Sequence, residues 1–169
     1  VGPGQGALTE FLVRKTKNYI GVEKDKNLCD LLEEKFININ IINEDILKFD
    51  FNNLFNKKIR IIGNIPYNIS TKLLLKCIEN RNKIKRIDFM MQKEFVDRMI
   101  SEHGNKSYGR LSVLIQLFFD TEKYVDISPK DFYPEPKIYS SFLSLQPKNN
   151  IIIKKNEINE FLDFVKKIF

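Results

Sequence analysis

Asn64-Ile65-Pro66-Tyr67 is the segment of this chain whose groups are best matched to a chemical task. An exocyclic adenine amine is a poor nucleophile, because its lone pair is delocalised into the ring. To attack a methyl sulfonium it must be held with that lone pair pointing outward. An Asn side-chain oxygen and a backbone carbonyl, each accepting one amino hydrogen, do this without a metal or a histidine base. Proline makes the carbonyl-bearing turn rigid, and Tyr67 offers a face on which an extruded base can stack. The plain alternative, a proline turn with an incidental Asn and Tyr, is weakened by the position of the segment directly after the apolar run Ile59-Arg60-Ile61-Ile62.

Three more groups follow buried runs or open a helix, the places where ligands bind in an open parallel sheet. Gly2-Pro3-Gly4-Gln5-Gly6 lets the backbone turn sharply and come close to a ligand. Its G-x-G-x-G spacing departs from the dinucleotide fingerprint and lacks the Lys-Ser/Thr of a P-loop, which favours a ligand needing close backbone approach over a bound pyrophosphate. A bare turn is its other reading. Glu23 ends the run Tyr19-Ile20-Gly21-Val22, where an acid can accept from both ribose hydroxyls; otherwise it is a solvated acid at a helix start. Asp45 follows Ile37 to Ile42 and can accept from an adenine amine, or it caps the turn at Ile46-Leu47.

The elements that must position these groups alternate. Helical spacing runs from Ala7 to Lys17 through Leu8, Phe11 and Leu12, and Asp25 caps a second helix with Leu28, Leu31, Leu32 and Phe36 on its inner face. Further helices are expected at Ser70 to Glu79, Gln92 to Ser101 and Leu111 to Phe118, with strands at Ile59 to Ile62, Arg86 to Met91 and Tyr139 to Leu145. Strands alternating with helices give an α/β fold with a mostly parallel sheet and helices on both faces. A chain that opens at Val1 directly on a glycine loop is expected to lack the strand that feeds the loop. From Pro147 the composition shifts to Asn, Lys and Ile, a linker before an amphipathic helix at Glu157 to Phe169.

Composition narrows the chemistry. The 169 residues carry 28 Lys and Arg against 22 Asp and Glu, for a net charge of +6, and 43% are hydrophobic. That excludes disorder, collagen and coiled coil. No apolar run approaches the roughly 18 residues of a membrane span. With His103 as its lone histidine the chain cannot build a multi-histidine metal site, and no metal is expected. Cys29 and Cys77 fit small core groups in a reduced compartment.

GPGQGALT, GVEKD, EDILKFD, GNIPYNIS, MMQKEFVDRM, SYGRLSV and FYPEPKIYSSF, in this order from Val1 to about Pro147, resemble the ribosomal RNA adenine dimethyltransferases of the class I methyltransferase fold. The resemblance implies a Rossmann-like, mostly parallel seven-stranded sheet with its first strand largely missing here. It implies a catalytic domain over residues 1–147, with 148–169 as linker and first helix of a helical RNA-docking domain. It also implies S-adenosyl-L-methionine as donor and dimethylation of adenines in small-subunit ribosomal RNA, within a pre-30S-type particle, by a cytoplasmic monomer; an organelle is the other compartment if a targeting segment precedes Val1. Carried over by position, Gly2, Gly4 and Gly6 border the cofactor, Glu23 with Lys24 holds its ribose, and Asp45 with the Ile46 backbone its adenine. Asn64 lies between cofactor and target, the Ile65-Pro66-Tyr67 turn shapes and stacks the target base, and Phe132 stacks from the other side. Lys93, Arg98 and Arg110 contact RNA. One departure is Glu44, where the family usually has Gly; it narrows the adenine pocket.

Three other readings compete. Large-subunit resistance methyltransferases share NIPYNIS and F-x-P-x-P-K, but SYGRLSV and QKEFVDRM favour the small-subunit type. DNA adenine methyltransferases more usually carry an acid at the position of Asn64. A nonenzymatic RNA-binding factor has little need of the Asn64, Pro66 and Tyr67 set. The basic clusters Arg14-Lys15-Lys17, Lys57-Lys58-Arg60, Arg81-Lys83-Lys85-Arg86 and Lys154-Lys155 read singly as solvated faces and together as phosphate contacts. RNA affinity is therefore expected to fall steeply as salt rises, with a log–log slope of about −0.7 per phosphate contacted on single strands. A filter-binding series that stays flat with salt contradicts this.

Overall fold

The computed structural model describes residues 1–54, 57–153 and 157–169, and within these the side chains of all but Asn53 and Asn159. The Lys154-Lys155 cluster lies outside the described residues. The first half alternates helix and strand: α1 (Ala7–Val13), β1 (Ile20–Glu23), α2 (Lys26–Lys35), β2 (Asn40–Asn43), β3 (Ile59–Asn64) and α3 (Tyr67–Glu79). Then follow β4 (Ile84–Gln92), α4 (Lys93–Ile100), α5 (Arg110–Phe118), β5 (Phe119–Ile127), β6 (Ser140–Pro147) and α6 (Ile158–Ile168). The α/β class expected from the sequence is what forms. β1 pairs with β2 and β3 with β4 in parallel, while β6 lies antiparallel between β4 and β5.

The described strands form two sheets, β1-β2 and β3-β4-β6-β5. Val1 and Gly2 lie between them. The Val1 nitrogen donates to the Ile62 carbonyl at 2.8 Å and the Gly2 N–H to the Val22 carbonyl at 2.9 Å, so the opening residues bridge β3 and β1. The glycine loop thus starts at the seam of the two sheets, beside the ends of both strands.

β4 organises the core. Ile87, Phe89 and Met91 alternate onto one face and are each no more than 1% exposed. They share the core with Leu73, Leu74, Cys77 and Ile78 of α3, Phe95, Val96 and Met99 of α4, and Leu114, Ile115 and Phe118 of α5. Burial pushes the Cys77 thiol up to about 12, which keeps it protonated and suits a core group. The opposite face of β4 is polar. Asp88, 1% exposed, accepts from Arg60 Nε at 2.6 Å and Arg86 Nε at 2.8 Å, across the registered pair Arg60 and Arg86.

Several boundaries differ from the sequence reading for local reasons. β2 starts at Asn40 rather than Ile37, because Asn38 takes a left-handed φ of 61° and turns the chain. α1 stops at Val13, and its inward group is Thr9, bonded to the Tyr19 hydroxyl at 2.8 Å, while Leu8 and Phe11 are exposed. α3 begins at Tyr67, three residues before its expected start at Ser70, because the Pro66 carbonyl already accepts from Ile69 N–H and Ser70 Oγ. β5 went unassigned in the sequence. It is an edge strand whose register shifts between Lys123 and Val125, which erases the simple alternation. His103 sits exposed in a turn.

Removing the shared acceptor of the two arginines is the direct test of the polar face. Asp88→Ala is expected to cost about 2–4 kcal/mol, less than a fully buried pair because Arg60 is half-exposed and rehydrates. Thermal denaturation should show a fall of roughly 5–10 °C, and a loss below about 2 °C would contradict this account.

Candidate active site

Gly2, Gly4 and Gly6 have φ of 55°, 57° and 87°, a left-handed conformation that side chains resist. The turn aims the Gly4 N–H at Glu23 Oε2, 3.1 Å away. Glu23, at the end of β1 and 8% exposed, also accepts from Lys24 N–H at 2.8 Å and Asp25 N–H at 3.0 Å on Oε1. Three of its roughly four acceptor positions are thus filled by backbone, leaving one on Oε2 for a ribose hydroxyl. The carboxylate is ordered before any ligand arrives.

Asp45 follows β2 and caps the turn at Ile46-Leu47, as one of its two sequence readings expected. Oδ1 caps the turn by accepting from Leu47 N–H at 2.9 Å, and Oδ2 accepts from Lys24 Nζ at 3.1 Å. The Leu47 N–H bond first, and then Lys24, hold its carboxyl below the ordinary 3.8. Lys24 therefore joins the loops after β1 and β2, touching Glu23 through its amide and Asp45 through its ammonium. Ile46, beside it, is buried.

The third strand end completes the seam. Asn64 is the last residue of β3, exposed and in register with Met90 of β4. Ile65 is buried and its N–H donates to the Met90 carbonyl at 2.9 Å. Pro66 caps α3, with its own carbonyl occupied by Ile69 and Ser70. The Ile65 carbonyl accepts no backbone bond among the described residues and stays available. Gly63 is required here, because a Cβ would meet the Val1 carbonyl at 2.8 Å; its absence lets the glycine loop lie against the residue preceding Asn64.

Tyr67 is 62% exposed, with its ring edge-on to Phe95 at 6.4 Å. Phe95, buried on α4, was not among the residues the sequence singled out; its place in the segment Gln92 to Ser101 marked it only as helical. Phe132 follows a short 3-10 turn (Pro129–Asp131) in the β5–β6 loop and is half-buried. That loop returns to the end of β4 through the Lys93 N–H, which donates to the Tyr139 carbonyl at 2.9 Å. No ring pair joins Phe132 to Tyr67 among the described residues. Lys93 is engaged by Asp97 and, at 3.7 Å, by Asp126, in a cluster completed by Lys123. Arg98 and Arg110 have no ion-pair partner among the described residues and line a groove that also includes Tyr67. No group of three or more potential metal ligands occurs among the described residues, and none of their helices is long and apolar enough to cross a membrane.

A ribosomal RNA adenine dimethylase sequence profile matches residues 1–169. The chain belongs to the ribosomal RNA adenine dimethylase family. Ribosomal RNA small subunit methyltransferase A of Francisella tularensis subsp. novicida is 45% identical over 175 residues, covering 100% of this chain and 66% of that protein. The chain thus spans about two thirds of the length of the curated relatives it matches. Among solved structures, a dimethyladenosine transferase from Plasmodium falciparum aligns with a TM-score of 0.85 at 28% identity, over 98% of this chain and 60% of that one. The 23S rRNA methyltransferase ErmE aligns with a TM-score of 0.79 at 25% identity, over 98% and 66%. The fold is that of the class I methyltransferases.

In this family member the Lys24–Asp45 pair sets an acid dependence. A carboxylate with a lowered folded pKa contributes stability that is complete above its unfolded value and lost as pH falls through the folded one. The advantage of the native protein over Asp45→Asn should therefore hold from neutral pH down to about 3.8 and shrink below it. Parallel stability curves for the two proteins in acid would contradict this.

Proposed function

We propose that the protein transfers methyl groups from S-adenosyl-L-methionine to the exocyclic amine of adenines in small-subunit ribosomal RNA, giving the dimethylated base. The single observation that carries this reading is the free end of β3: an exposed Asn64 side chain and an unengaged Ile65 carbonyl on a turn locked to β4 and capped by Pro66. The curated relatives of the small-subunit type, at 45% identity, favour that substrate over the large-subunit RNA named for ErmE at 25%.

When bound, the donor supplies an electrophilic methyl carbon on a sulfonium. Gly2, Gly4 and Gly6 border it, Glu23 accepts from its ribose, Lys24 holds the two loops together, and Asp45 with the Ile46 backbone receives its adenine. Asn64 Oδ1 accepts one hydrogen of the target amine and the Ile65 carbonyl the other, which turns the nitrogen lone pair outward. Tyr67 stacks the extruded base and Phe132 closes on it from the β5–β6 loop. Methyl transfer at the nitrogen so positioned would form the new carbon–nitrogen bond as the carbon–sulfur bond of the bound donor broke, with the electron pair leaving on sulfur and the amine proton passing to water. No metal or histidine takes part. Lys93, Arg98 and Arg110 serve the RNA, Arg98 and Arg110 with no ion-pair partner among the described residues. We assign residues 1–147 to catalysis and 148–169 to a linker and the first docking helix; α6 packs on α5 through buried Ile158 and Val165. The monomeric, cytoplasmic state expected from the sequence completes the proposal.

Asn64→Ala in the full-length protein separates chemistry from binding. Methyl transfer is expected to fall by about 100-fold or more, while affinity for small subunits in a filter assay stays within about twofold. Transfer that survives the substitution would remove Asn64 from the site.

A further inference from the structure

The groove beside Tyr67 is used by neither the cofactor nor the target adenine in the account above. It has a volume of about 320 Å³ and runs between α3 and the corner formed by α4 and α5. Its floor is apolar and buried, made by Leu74, Ile78, Leu114 and Ile115. Tyr67, Arg98 and Arg110 stand on its rim.

The corner is fastened so that the two arginines share that rim. Ser112, fully buried, donates to the Arg98 carbonyl at 2.5 Å and accepts from the Gly109 N–H at 3.1 Å. Gln116 donates to the Met99 and Ser101 carbonyls at 3.1 and 2.7 Å. The carbonyls that end α4 are thus satisfied from α5 rather than by water, which fixes the angle between the helices. Arg110 is the first residue of α5, so its guanidinium adds to the positive end of that helix. On the strands and helix beside the groove, Arg60 and Arg86 share Asp88, and Lys93 and Lys123 pair with Asp97 and Asp126, whereas Arg98 and Arg110 form no ion pair among the described residues. Two guanidiniums without carboxylates, over an apolar cavity of nucleotide size that shares Tyr67 with the target site, have the chemistry of a base pocket with a phosphate clamp.

We infer that this groove receives a nucleotide flanking the target adenine, with its base over the apolar floor and its phosphate on Arg98 and Arg110. The inference rests on the reading of Tyr67 as the stacking face for the target. The groove then fixes the strand direction and spacing at which an adenine reaches Asn64, and so contributes to the choice of substrate.

A photo-crosslink tests it in the full-length protein bound to unmethylated small subunits. The wild type first maps the methylated adenine; if it methylates none, the proposed function fails and this inference with it. Thr71, exposed on the groove wall, is then replaced, Thr71→p-benzoylphenylalanine. A crosslink to RNA within about two nucleotides of the mapped adenine is the expected result. Crosslinking only to protein, whether this chain or a ribosomal protein, or to distant RNA, or not at all, overturns the groove assignment while leaving the function standing. In a second arm, the double variant Arg98→Gln/Arg110→Gln should raise the KM for subunits about tenfold, with kcat reduced by no more than about twofold; an unchanged KM overturns it as well.

Discussion

The reaction we propose needs both hydrogens of an adenine amine to be accepted by groups that do not move. The proposed acceptors stand at the point where β3 ends and α3 begins, a place with little freedom. Ile65 is buried and bonded to Met90, Asn64 is held in register on β4, and Pro66 fixes the torsion that starts α3. β4 in turn buries Ile87, Phe89 and Met91 in the core shared with α3, α4 and α5 and carries Asp88 between two arginines on its other face. Rigidity in the core is thereby delivered to two acceptor atoms at the surface.

The cofactor side follows the same logic with charge in place of packing. Glu23 is ordered by three backbone donors, one of them from a glycine in a left-handed turn that most side chains resist. Lys24 couples that carboxylate to Asp45, so the loops after two parallel strands act as one unit. The missing Cβ at Gly63 leaves room for Val1, and so for the start of the glycine loop, beside the residue preceding Asn64. The Val1 and Gly2 nitrogens, bonded to β3 and β1, set the glycine loop beside the proposed acceptor turn.

Much of this was legible in the sequence, and the reasons differ by element. The strand ends were readable because short β-branched runs stop abruptly at Glu23 and at Gly63-Asn64, and the α/β class followed from alternation. Lys24 was carried over only as a neighbour of Glu23; its bridge to Asp45 depends on how two loops are juxtaposed, which no local pattern encodes. Edge strand β5 was invisible because its bulge near Tyr124 breaks the period of two. Leu8 and Phe11 looked like an inner face by spacing, yet the left-handed Gly6 sets the phase of α1 so that Thr9 turns inward instead. The pairing of Arg98 with Arg110 depends on Ser112 and Gln116 tying two helices at a corner, a tertiary fact.

Which base receives the methyl group decides whether the proposed function holds. The direct measurement is transfer of labelled methyl from S-adenosyl-L-methionine by the full-length protein to unmethylated small and large ribosomal subunits in parallel, followed by mapping of the modified positions. Dimethylated adenine confined to the small-subunit RNA is the predicted result. Label in the large-subunit RNA, on a base other than adenine, or in neither particle would contradict it.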